Sequence, residues 1–90
     1  MTEEGKNNYS RQEVAKKGLQ ALLEMAKVWG KSQDTIHHAI KSYKDVIRID
    51  PESSEADEAR AALWKIAEQW NKRGQKYAAA LLYKELTASS

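Results

Sequence analysis

Slid along itself by 41 positions, this 90-residue chain falls into register: Ala15 lands on Ala56, Leu22 on Leu63, Ala26 on Ala67 and Trp29 on Trp70. At a displacement of 40, Ala39 lands on Ala79, Tyr43-Lys44-Asp45 on Tyr83-Lys84-Glu85, and Val46 on Leu86. Alanines match by chance in a chain rich in them. Paired tryptophans and a repeated tyrosine–lysine–acid triplet are far rarer coincidences. The one-residue change of register falls in a connector, where insertion is tolerated. Self-similarity at this period marks a chain built from repeated supersecondary units.

Each unit reads as two amphipathic helices. Ser10 and Glu13 form the S-x-x-E capping box, in which the hydroxyl takes a backbone N–H and the carboxylate reaches back. The first helix, near 10–29, then carries Val14, Ala15, Leu19, Leu22, Leu23, Ala26 and Trp29 at spacings of three and four. Gly30 is read as its stop. After the connector GKSQD, Ser32 or Asp34 caps a second helix near 34–49 with Ile36, Ala39, Ile40, Tyr43, Val46 and Ile47 on one face. Asp50-Pro51 ends it, because proline disfavours a helical residue before it.

Ser53 or Ser54 caps a third helix near 54–73, and Glu55, Asp57 and Glu58 suit the positive end of its dipole. Its inward residues are Ala56, Ala59, Leu63, Ile66, Ala67 and Trp70, with Gly74 as the stop. A fourth helix near 75–88 turns Ala79, Leu82, Tyr83 and Leu86 inward. Short connectors make consecutive helices antiparallel neighbours. The expectation is an all-α fold: a polar, frayed tail at 1–9, then one domain at 10–90 built of hairpins 10–49 and 54–88. Trp29, Tyr43, Leu63, Ile66, Trp70 and Tyr83 are its expected core.

Composition removes several function classes. There is no cysteine, so disulfides, thiolate metal sites and cysteine nucleophiles are excluded. The opening MTEEGKNNYS lacks the apolar centre of a signal peptide. No apolar run approaches the roughly 20 residues that span a bilayer. A cytoplasmic location without membrane partners follows as the expectation. The net charge is +2, with −3 in residues 51–60 and +3 in 61–90. No basic stripe of the kind that binds nucleic acid emerges. Lys72, Arg73 and Lys76 are read as cations at a helix C-terminus.

His37 and His38 are adjacent, so on a helix they diverge by about 100° and share a metal poorly. They are read as residues of a solvated face. Nothing sets a serine, histidine and aspartate at a strained turn. There is no glycine-rich phosphate loop, and Asp57-Glu58 belongs to a helix start. Catalysis and cofactor binding are therefore not expected.

These residues together resemble the tetratricopeptide repeat family. Leu63, Ile66, Ala67 and Trp70 fit its first-helix pattern of large, large, small, aromatic. Gly74 fits the turn, and Ala79, Tyr83 and Leu86 the second helix. Leu22, Ala26, Trp29, Ala39, Tyr43, Val46 and Pro51 repeat the pattern in the first half. The likeness covers roughly residues 15–88, although the period is 40–41 against about 34 in the family. It implies a non-catalytic module that binds a peptide or helix of a partner protein in a groove lined by the first helix of each hairpin. The implied groove positions are Gln20, Leu23, Lys27 and Lys31, then Trp64, Glu68, Asn71 and Lys72. The family's carboxylate clamp falls on Leu23, Lys27, Trp64 and Glu68, where only Lys27 is basic, so a chaperone-tail ligand is not implied.

Trp64 is the most informative of these, since Leu63, Ile66, Ala67 and Trp70 already fill the inward face. Its competing reading is packing against the first helix near Leu23. The alternative function is a homodimer. The last helix carries Tyr77 and Leu81 off its inward stripe, with Leu82 of that stripe beside them. No helix is expected to cover them, which makes all three candidate contacts.

Overall fold

The computed structural model describes residues 10–88, so the expected tail at 1–9 lies outside the described residues. Four α-helices follow in order: α1 (Arg11–Trp29), α2 (Ile36–Ile49), α3 (Ser54–Lys72) and α4 (Lys76–Ala88). Among the described residues there is no strand, and the fold is all-α. α1 packs on α2, α2 on α3 and α3 on α4, and α1 also touches α3.

The ends of the helices show why the chain breaks where it does. At α1 the capping box is complete: Glu13 N–H donates to Ser10 Oγ at 3.1 Å and Ser10 N–H to Glu13 Oε1 at 3.3 Å. Gly30 ends α1 as expected, in an ordinary right-handed conformation with φ −72°. Its use is proximity, because a Cβ there would stand 3.3 Å from the Ala26 carbonyl oxygen and 3.7 Å from Ala39 Cβ. The second helix is entered through a 3₁₀ turn, Gln33–Thr35, capped by Ser32 on the Asp34 N–H. Thr35 Oγ1 donates to the Trp29 carbonyl at 2.6 Å and ties the turn back to α1.

Ser53, rather than Ser54, caps α3 by accepting from Ala56 N–H at 2.9 Å. At its other end the Gln75 N–H reaches the Trp70 carbonyl at 2.9 Å and the Gly74 N–H reaches Asn71 at 3.1 Å. This is the paired Schellman closure, and it needs the φ of +86° that Gly74 adopts.

Alanines hold the helices close. Ala26, Ala39, Ala56, Ala59 and Ala67 are fully buried and Ala79 nearly so. Repeat partners thus meet the same fate at Ala26 and Ala67, and at Ala39 and Ala79. Tyr43, Leu63 and Trp70 are buried as expected. Trp29, Ile66 and Tyr83 are only half-buried against the same core. Val14 and Ala15, expected on the inward face, are exposed. α1 has 19 residues against the 14 of α2, about 7.5 Å more at 1.5 Å per residue. The α1 core begins only at Leu19.

Candidate protein interaction surfaces

The α1–α3 contact is polar. Glu55 lies in the first turn of α3, where backbone N–H groups lack helical partners. It is buried, and its carboxylate accepts from Lys16 Nζ at 3.1 Å, Gln20 Nε2 at 3.4 Å and Ser54 Oγ at 3.3 Å. Its own backbone amide, then Lys16, hold its carboxyl below the usual range. Farther along, Lys27 Nζ sits 2.7 Å from Glu58 Oε2, and the bond to Glu58 raises the lysine's pKa. Gln20, Leu23 and Lys27 therefore share one shallow hollow of about 390 Å³ with Glu24, Ser54, Glu55 and Glu58. Leu23 is its buried floor.

The other implied groove positions do not join them. Lys31 is exposed in the connector after α1. Trp64 is half exposed, but its ring lies 5.0 Å from that of Tyr83 on α4. It lines a separate hollow of about 570 Å³ with Arg60, Tyr83, Leu86 and Thr87. Its ring contact is with α4 rather than with α1 near Leu23. Asn71 takes a hydrogen bond from Lys76 Nζ at 2.9 Å, next to the α3–α4 turn. Glu68 and Lys72 are exposed. The cause is angular: at 100° per residue, six residues separate Glu58 from Trp64 and carry the tryptophan round to the α4 side.

A further concavity runs between α2 and α4, a groove of about 730 Å³. Ile40, Ile47, Leu63 and Leu86 line it, with Pro51 and Ala88. Its rim carries His37, Lys41, Lys44 and Arg48 from α2, with the carboxylates Asp45 and Glu85. Lys44 Nζ bridges to Glu85 Oε1 at 2.7 Å, joining the two helices. Asp45 takes Arg48 at 2.5 Å and Lys41 at 3.6 Å, and the Arg48 bond leads in lowering its pKa. Helical spacing alone puts Ile40 and Ile47 on the inward face and assigns no role to the cations beside them. The available signal was the spacing of Lys41, Lys44 and Arg48 at three and four, beside that isoleucine pair.

On α4, Tyr77 and Leu81 are exposed at 79% and 46%, and they point away from the core. Leu82 does not belong with them: it is buried at 4% exposure. One residue, or about 100°, turns it from the outer face into the contact with α3. The two histidines diverge as their adjacency requires. The His37 ring lies 6.2 Å from Trp70, and the His38 ring 5.2 Å from Trp29. Among the described residues, no group of three His, Cys, Asp or Glu is placed to hold a metal ion. No described helix is long and apolar enough to cross a membrane. Comparisons with family models, curated proteins and solved structures yield no match to this chain.

Proposed function

We propose that this chain is a non-catalytic, cytoplasmic protein-interaction module, a two-repeat unit of the tetratricopeptide type, that takes a peptide or helix of a partner protein. The observation that supports this most is the α2–α4 groove. It is open, it lies between two helices, and it has an apolar floor beneath a charged rim. Helix-in-groove recognition uses such a surface, with the ligand's apolar residues at three- and four-residue spacing on the floor. The rim holds three lysine or arginine side chains and two carboxylates. The suited ligand is therefore amphipathic, with acidic residues beside its apolar face.

The test is selection of peptides from a random display library on the immobilised chain, followed by NMR titration of the winners. Shifts are expected to cluster at His37, Ile40, Lys44 and Leu86. Lys41→Glu combined with Arg48→Glu should abolish binding without altering the helical circular dichroism. Selected peptides that shift only the surface around Gln20 and Lys27 would return the site to the α1–α3 face. A library that yields no binder would sink the module reading.

A further inference from the structure

α1 carries a second apolar stripe that neither hairpin uses. Val14, Gly18, Ala21, Met25 and Val28 follow at spacings of four, three, four and three. All five are exposed, Val14 at 54%, Met25 at 45% and Val28 at 63%. A mean spacing of 3.5 residues is that of a coiled-coil seam. At 100° per residue, the stripe lies on the side of α1 turned away from Lys16, Gln20 and Lys27, the residues that face α3. The half-buried Leu22 and Trp29 border it on one edge, and Lys17 and Glu24 on the other.

The stripe is complementary to itself when reversed about Ala21. In an antiparallel pair of α1 helices, Val14 meets Val28 of the second copy at each end. Gly18, with no side chain, meets Met25, the longest side chain in the stripe. A Cβ at Gly18 would have nothing within 4 Å in this chain, so the space above its backbone is open. Ala21 faces its own counterpart, where a small residue lets two helices approach closely. The same register sets Lys17 against Glu24 of the second copy, twice by symmetry. Neither has an ion-pair partner among the described residues. A parallel pair loses all of this. It stacks Met25 on Met25 and sets Lys17 and Glu24 against the apolar edge at Leu22 and Trp29.

We infer that a second copy of this chain packs on α1, antiparallel about a dyad at Ala21, to give a two-fold symmetric dimer. The contact is isologous, so it closes at two copies. It leaves the α2–α4 groove open in each copy, and it does not depend on what that groove binds.

Sedimentation equilibrium of the full chain, from about 10 μM to about 1 mM, should show a monomer–dimer equilibrium. Ala21→Glu sets two carboxylates together on the dyad and should give a folded monomer. Lys17→Glu or Glu24→Lys alone should weaken the dimer about tenfold, and the two together should restore it. A parent chain that stays monomeric overturns the inference. So does a dimer that survives Ala21→Glu, or one that Leu81→Glu dissolves, which would put the interface on α4. Loss with Ala21→Glu but no rescue by the double charge swap overturns the antiparallel register.

Discussion

Replacing Leu63 with alanine tests the packing at the point where the two hairpins share a core. Leu63 sits mid-way along α3 at 1% exposure, among the largest fully buried side chains. Truncation removes three carbons, which at about 0.8 kcal/mol each is about 2.5 kcal/mol of lost transfer energy. A sealed void would add about 24 cal/mol per Å³ of unrelaxed cavity. Leu63 also lines the α2–α4 groove, so the space it leaves opens toward solvent on one side and partly collapses. The expected loss is therefore about 3 kcal/mol, toward the lower end of the range for buried leucines. A domain of this length has roughly 5–13 kcal/mol in total, so the variant should remain folded but with a much lower urea midpoint. The assay is urea unfolding followed by far-UV circular dichroism, with the slope compared between variant and parent. Trp64→Ala is the control one residue away. It removes a half-exposed ring and the Tyr83 contact and should cost only about 1 kcal/mol. If Leu63→Ala lost less than Trp64→Ala at unchanged slope, the assignment of helix faces would be refuted.

Gly74→Ala should destabilise by about 1 kcal/mol, because its φ of +86° strains any Cβ although no neighbour crowds it; a Tm equal to the parent's contradicts the Schellman closure. Ser53→Ala should cost about 1 kcal/mol through the lost α3 cap, whereas Ser54→Ala should cost less, and the reverse order in chemical denaturation would reassign the cap. Glu55 and Asp45 have lowered pKa values, so their contribution is full above about pH 4 and is lost as pH falls through the folded values. Tyr43, raised by burial, and Lys27, raised by Glu58, contribute fully below about pH 10 and lose it as pH rises through their folded values. Stability measured against pH should then show a plateau between these limits, and Glu55→Gln should flatten its acid edge; an unchanged acid edge contradicts the role given to Glu55.

Much of the fold can be read in the order of residues along the chain. Ser10 with Glu13, Asp50-Pro51, Ser53 and Gly74 act on backbone groups within a few positions of themselves, so local spacing predicts where helices start and stop. The three-and-four spacing of Leu19, Leu23 and Ala26, or of Ala39, Tyr43 and Val46, likewise needs only helical geometry to define an inward face. That is why four helices, two hairpins and most of the alanine-lined core follow from sequence alone.

What lies between helices does not follow, because it depends on crossing angle and offset, and no short-range spacing encodes these. Tertiary structure decided that Trp64 leans on Tyr83 instead of sharing a hollow with Gln20 and Lys27. It also decided that Glu55, read locally as a dipole partner, is a buried link to Lys16 and Gln20. Leu81 and Leu82 are adjacent and equally apolar, yet one is outside and the other is core, since only the position of α3 distinguishes their directions. The α2–α4 groove is likewise a product of how far apart two non-consecutive helices stand. The apolar stripe of α1 is written in the sequence at heptad spacing. That it is left uncovered was decided by α2 and α3 packing on the other sides of that helix.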